Sequence, residues 1–401
     1  MSELSRHKFA DLYEMASGIS SKPEQAGHGA PFLSFSTVFN NYFLPSTLTD
    51  RMDTSEPEQK KYSINEGDIF LTRTSEVIDE LGMSSVALKS YARATYSGFL
   101  KRLRPIKERV TYPKFMAFYL RSPLFRKTMT NNAVLTLRAS LNEEIFSYLD
   151  LLLPDYDEQV KAGDLLFLLS QKIDCNNRIN VELEAMAKTL YDYWFVQFDF
   201  PDANGKPYKS SGGKMVYNAR LKREIPAGWS DALVADILDK SPSSTKIPNK
   251  DIRDSGAIPV IDQSQSYICG FTDEKTSLIV PKQPHVVFGD HTRAIKLVNF
   301  SYARGADGTQ ILVSKDMRMP GYLMYQAVSD IDLSSYGYAR HFKFLKESKI
   351  LLPDKAIAQK YQVTVTPWFE KTREAVFENL ELAKLRDWLL SLLMNGQVKV
   401  A

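Results

Sequence analysis

Gly212-Gly213-Lys214 is the first place to look for chemistry, because glycine backbones followed by a lysine can cradle phosphate. The spacing refuses that reading. Tyr208 stands where the motif needs its first glycine, and Met215 stands where a Ser or Thr would reach magnesium. Pro154-Asp155 is followed by Glu158 and Lys161 but lacks the Glu-x-Lys of a nuclease metal site, so Asp155 is expected to cap a helix. His7, His28, His285, His291 and His341 are scattered and form neither HExxH nor a ligand pair. No GxGxxG follows a strand-like run, and no Asn-Pro-Pro-aromatic motif offers a methyltransferase its target base. Cys175 and Cys269 lie far apart, without CxxC spacing or nearby His, which argues against a disulfide scaffold or zinc finger. The chain is not expected to be an enzyme by itself, and no metal or cofactor of its own is expected.

Two clusters suit recognition better than catalysis. Gly289-Asp290-His291-Thr292-Arg293 precedes the strand-like Ile295-Lys296-Leu297-Val298, and Tyr336-Gly337-Tyr338-Ala339-Arg340-His341 lies just before Phe344. Arginine bonds guanine through two donors, and Tyr or His can donate to phosphate or to a base edge. His291, Arg293, Lys296, Tyr336, Tyr338, Arg340 and His341 are therefore candidate DNA contacts, and Arg138-Ala139-Ser140 holds a corresponding place in the first half. The competing reading of each cluster is an ordinary exposed turn. The net charge of +3 says little on average, but its distribution says more. From Lys89 to Arg138 there are twelve basic residues against one acid, Glu108, a local balance of +11 with aromatics interleaved. That segment is expected to fold around its apolar positions and present its charge, so Lys89, Arg93, Lys101, Arg102 and Arg104 are candidate phosphate contacts. A merely solvated basic face is the alternative.

The elements that must position these residues repeat. At 401 residues, with 44% hydrophobic and 25% charged residues, the chain has material for two to four domains with sizeable cores. Leu152-Leu153-Pro154-Asp155 recurs as Leu351-Leu352-Pro353-Asp354, and Asn180-Val181-Glu182-Leu183 recurs as Asn379-Leu380-Glu381-Leu382 at the same offset. After each Leu-Pro-Asp the pattern turns helical for nearly forty residues. Leu169, Ile173, Asn176, Asn180, Leu183, Ala187, Leu190 and Trp194 form a coiled-coil seam in the first copy; Leu382, Leu385, Leu389 and Leu392 form one in the second, with a break or kink expected at Pro367. Strands are expected at Asp68–Leu71, Ser277–Val280, His285–Phe288 and Gln310–Val313, and helices at Tyr112–Lys127 and Met319–Ser329. No run of 18 apolar residues predicts a membrane span, and Met1–Asp11 has no signal-peptide core, so a reducing cytoplasm is expected.

The string from Leu190-Tyr191-Asp192-Tyr193-Trp194-Phe195 through Asn204-Gly205-Lys206-Pro207 and Ser210-Ser211-Gly212-Gly213-Lys214 to Ile225-Pro226-Ala227-Gly228-Trp229 strongly resembles the central region of type I restriction–modification specificity subunits. Gly289 to Lys296, Ala306-Asp307-Gly308-Thr309 and Arg340-His341-Phe342-Lys343 look like text from that family's target-recognition domains. The resemblance implies an α+β fold in which two mixed α/β target-recognition domains are separated by a long antiparallel two-helix coiled coil, with an internal pseudo-two-fold repeat. The expected division is a first recognition domain over 1–150, a helical spacer over 151–198, a linker over 199–228, a second recognition domain over 229–350 and a second spacer over 351–401. It further implies a non-catalytic subunit that binds a bipartite, asymmetric sequence in double-stranded DNA. Two methyltransferase subunits carrying S-adenosylmethionine would dock on it, and motor-nuclease subunits would join them. Leu183, Leu190, Trp194, Phe195, Leu382, Leu385 and Leu389 are expected to meet partner surface, because two helices alone would not bury them all. The alternative is a protein–protein scaffold with two repeated partner sites and no DNA reading.

Overall fold

The computed structural model describes residues 3–20, 22–75, 81–132, 139–140, 149–337 and 340–400. The chain forms two compact units, Met1–Cys175 with Asn379–Ala401, and Asn176–Glu378. The division runs through both long helices, Tyr156–Tyr191 and Lys355–Met394, instead of setting them apart as separate segments.

In each unit a short strand pairs with the strand that runs into its Leu-Pro-Asp. Ser5–Lys8 runs antiparallel to Asp150–Leu153 with Ser5 opposite Leu153, and Ser230–Leu233 runs antiparallel to Lys349–Leu352 with Ser230 opposite Leu352. The next bond repeats as well: the Phe9 N–H donates to the Leu149 carbonyl and the Val234 N–H to the Ser348 carbonyl, both at 2.9 Å. The sequence repeat is thus a repeat of topology. Each Leu-Pro-Asp then starts a helix in the expected way. The Asp155 carboxylate accepts from the Glu158 N–H at 2.9 Å, and the Asp354 carboxylate from the Ala356 N–H at 2.7 Å, satisfying donors that a helix start leaves open.

In the first unit a four-stranded sheet has the spatial order Tyr13–Ser17, Leu100–Pro105, Ile69–Thr72, Ser84–Val86. Ile69 and Leu71 pack into one core and Phe70 into another, so this strand is apolar on both faces. The expected helix over Tyr112–Lys127 is two helices, Pro113–Tyr119 and Pro123–Asn132. Pro123 cannot sit inside a helix without losing a hydrogen bond, and the Ser122 hydroxyl caps the restart by accepting from the Phe125 N–H at 3.3 Å.

The second unit holds a sheet of Ile295–Val298, His285–Gly289 and Thr309–Leu312, and another of Gly270–Thr272, Ile258–Ile261, Tyr302–Arg304 and Leu278–Ile279. In both units a glutamine of the long helix ties down the start of a short one. Gln159 accepts from the Tyr112 N–H at 2.9 Å, and Gln362 accepts from the Tyr322 N–H at 3.1 Å, beside Gly321–Ser329.

The segment expected as a linker, 199–228, is turn-rich but packed. Phe200 stacks on Trp229 at 4.8 Å and on Tyr208 at 4.7 Å, and Ile225 is buried in the same core. Gly213 serves this packing: a Cβ there would lie 2.4 Å from the Tyr208 ring. The Gly-Gly-Lys string is a turn built around a tyrosine.

The first helix buries the seam that its spacing predicts, with Asn176 and Ala187 least exposed and Asn176 donating to Glu378 at 2.8 Å. The second is shifted. In its last turns Leu390, Leu393 and Met394 are buried, while Leu385 is exposed and Leu389 half-buried. The run Leu389-Leu390-Ser391-Leu392-Leu393-Met394 is apolar on every side, so its spacing does not choose a phase. The helix Lys355–Met394 continues through Pro367, whose missing N–H would have bonded Val363, a residue on the solvent side where water can take its place. The helix segments run antiparallel within each unit: Lys399 meets Glu158 in the first, and the Tyr361 hydroxyl donates to the Ala187 carbonyl at 3.0 Å in the second.

Candidate nucleic-acid interface

The second unit brings the two polar clusters, Gly289–Arg293 and Tyr336–His341, together. Strand His285–Gly289 leads into a tight turn in which the Gly289 N–H donates to the Ala294 carbonyl and the Arg293 N–H to the Gly289 carbonyl, each at 2.8 Å. Arg293 takes a left-handed backbone, φ 61°, to close it. The chain 50 residues further on is bonded to this turn, since His341 and Phe342 both donate to Asp290. His291, Arg293, Tyr336 and Arg340 are exposed around this junction. Tyr336 is stacked on Phe344, centroids 3.9 Å apart, which fixes its ring while leaving an edge in solvent.

Two candidates in the same clusters are internal, which corrects the expectation that they contact DNA. His341 is buried, with Nδ1 3.0 Å from the Asp290 carbonyl and Nε2 3.4 Å from that of Tyr336. Lys296 is buried, and its ammonium donates to the carbonyls of Asp262 at 2.8 Å and Ser266 at 2.5 Å. Burial pulls the Lys296 pKa below the usual lysine range, against the Asp262 carboxylate that raises it. Tyr338 lies outside the described residues.

In the first unit the basic segment is also corrected. Lys101 and Arg102 are buried, donating to the Ser17 hydroxyl at 2.8 Å and the Ser63 carbonyl at 3.0 Å. Arg104 forms a two-point pair with Asp68, both bonds 2.7 Å. Arg121 spreads its guanidinium over the carbonyls of Ser84, Val38, Phe39 and Asn41, and burial lowers its pKa to about 10. Much of the positive charge therefore staples the fold. Lys89 and Arg93 remain exposed, Lys89 5.3 Å from the Tyr91 ring centroid and Arg93 donating to Gln59 at 3.1 Å. Gln59 belongs to the short helix Glu56–Lys61, which ends on exposed Lys60 and Lys61, cations that lie in a flank acidic on average. Arg138 lies outside the described residues. Ser140 belongs to a strand, Ala139–Ser140, paired with Thr74–Ser75 just after Ile69–Thr72, and nothing is described of its side chain.

The partner-docking candidates divide. Trp194 and Phe195 are buried against Tyr361 and Trp229, with Phe195 5.3 Å from Tyr361 and 5.9 Å from Trp229. Successive residues can both turn inward because Asp192–Val196 is a π-helical turn, closed by the Gln197 N–H on the Asp192 carbonyl at 2.8 Å. The expectation that the helices could not bury these aromatics unaided overlooked Trp229 and Phe198, which cover them. Leu183, Leu190, Leu382 and Leu389 are half-buried, and Leu385 is exposed. Val181, Met186 and Trp388 are further exposed apolar residues of the long helices, and Met186, Leu190, Tyr193 and Trp368 line a surface pocket of about 450 Å³. Among the described residues no group of three or more His, Cys, Asp or Glu could hold a metal, and no helix is long and apolar enough to cross a membrane.

Residues 9–185 match the family model of the type I restriction modification DNA specificity domain. That match spans most of the first unit's strands and of the first long helix, and over its length the chain is similar to type I specificity subunits. It is 24% identical to the type I restriction enzyme HindI specificity subunit of Haemophilus influenzae, over 92% of this chain and 94% of that one. It is also 24% identical to the MjaIX specificity subunit of Methanocaldococcus jannaschii, over 62% of this chain but only 60% of that subunit. The crystal structure of a type I restriction–modification S subunit from M. genitalium shares the fold, with a TM-score of 0.61 at 14% identity, covering 98% of this chain and 96% of that one.

Proposed function

We propose that this chain is a non-catalytic specificity subunit that reads a bipartite, asymmetric sequence in double-stranded DNA, one half with each unit. In the second unit the reading groups are His291, Arg293, Tyr336 and Arg340; in the first, Lys89 and Arg93 hold phosphates. Methyltransferase subunits carrying S-adenosylmethionine dock on the exposed apolar residues of the long helices, among them Leu385 and Met186, and motor-nuclease subunits join the assembly in the cytoplasm. The observation that carries the reading is the repeated register of the opening strand pair, Ser5 on Leu153 and Ser230 on Leu352: two copies of one framework suit two half-sites.

Binding of the full chain with its methyltransferase subunits to duplex DNA, followed by fluorescence anisotropy across a salt series, tests this. The expected result is a log K that falls linearly with log salt, with a slope equal to several phosphate contacts. An assembly that forms but shows no salt-dependent binding to duplex DNA would be a scaffold instead.

A further inference from the structure

The turn at Gly289–Arg293 and the chain at Arg340–Phe342 are distant in sequence, and one residue joins them. The Asp290 carbonyl accepts from the His341 N–H at 2.9 Å, its Oδ1 accepts from the Phe342 N–H at 2.9 Å, and its own N–H donates to the Gly308 carbonyl at 2.7 Å. Asp290 is only 6% exposed, so three chain segments meet on one buried carboxylate residue. Gln263 supports the same turn from another side: its Oε1 accepts from the His291 N–H at 3.2 Å, and its carbonyl accepts from the Thr292 hydroxyl at 2.5 Å. Gly308 takes a left-handed backbone, φ 67°, and a Cβ there would lie 2.5 Å from the Gln263 amide oxygen, so a side chain would push that support aside.

A carboxylate turned toward DNA would repel phosphate, yet this residue is buried and its Oδ1 accepts from the Phe342 backbone. Around it the chain tolerates an arginine in the left-handed conformation at position 293, where Gly or Asn is locally preferred. We propose that Asp290 is the positioning residue of the second unit's recognition surface, clamping the turn to His341 and Phe342 so that Arg293 and Arg340 are held in one mutual arrangement. The inference rests on the reading that this unit contacts DNA. Asp290 itself touches no base and acts through the two arginines. Two donors on a fixed frame discriminate among base patterns, whereas the same donors on independent loops would adapt to several.

The test maps methylated adenines in the genome of cells that express the full chain with its methyltransferase subunits. Asp290→Asn keeps an oxygen able to accept from the Phe342 N–H and is expected to retain the wild-type motif. Asp290→Ala is expected to leave one half-site and the gap intact while the other half-site relaxes, with methylation at sites altered by one base in that half rising about tenfold. If Asp290→Ala fails to accumulate, Gln263→Ala decides, because it removes only the support under His291, and the same one-sided relaxation is expected. An unchanged motif in the soluble variant, or a uniform loss of methylation at all sites with the motif unaltered, would overturn the positioning role. A wild-type chain that yields no two-part motif would overturn the DNA reading itself, and the proposal with it.

Discussion

Arg104 donates to both carboxylate oxygens of Asp68 at 2.7 Å, and the Asp68 side chain is 1% exposed. The pair sits inside the first unit, where Asp68 also accepts from the Asn65 N–H at 2.7 Å. Removing the cation strands a buried carboxylate. Arg104→Ala is therefore expected to destabilise the fold by about 3 kcal/mol, seen as a lower denaturant midpoint, while the salt slope of DNA binding stays unchanged. A flattened slope with unaltered stability would place Arg104 on the DNA instead.

His285 predicts an acid sensitivity. It is buried with Nδ1 3.0 Å from the Tyr302 hydroxyl, and burial lowers its pKa to about 4 from an ordinary 6.5. Between those values the unfolded chain binds the proton more readily, so stability present above pH about 6.5 is lost as pH falls toward 4, up to about 3 kcal/mol. His285→Gln, which keeps a polar partner for Tyr302 but does not titrate, should lose less stability between pH 7 and pH 4.5 than the wild type. Equal losses in denaturation measured at the two pH values would refute this.

Phe195 should act as core. Truncating it to alanine beside Tyr361 and Trp229 is expected to cost about 3–5 kcal/mol of stability. Leu385→Ala and Met186→Ala, on exposed positions, should change stability by less than about 0.5 kcal/mol yet weaken assembly with methyltransferase subunits in analytical ultracentrifugation. Assembly unaffected by the exposed pair would move the docking surface elsewhere.

Arg340→Ala and Arg293→Ala should each cost about 1–3 kcal/mol at one position of one half-site, read by competition between duplexes that differ at single base pairs. Equal weakening on every sequence would reduce both residues to phosphate contacts.

The repeat was legible in the chain because strand, Leu-Pro-Asp and helix answer purely local needs: an alternating strand, a cap, and a seam at spacings of three and four. The destination of charge was not. In Leu100-Lys101-Arg102-Leu103-Arg104 a basic strand reads as exposed, yet its acceptors are Ser17, Ser63 and Asp68, tens of residues away. The recognition clusters could be found from Arg, His and Tyr placed in turns, but Asp290 could not be told from any other turn aspartate until His341 and Phe342 were seen to converge on it. Trp194 and Phe195 failed for a related reason: a seam drawn on an α-helical wheel has no place for the π turn that lets neighbours share one face.

Two copies of one framework, each closing a strand pair on a Leu-Pro-Asp, are proposed to read two half-sites. This is tested most directly by mapping methylated adenines in a genome that expresses this chain with its methyltransferase subunits. The expected motif has two defined half-sites with different sequences, separated by an unspecified gap of fixed length. A single continuous motif, or methylation whose sequence does not depend on this chain, would contradict it.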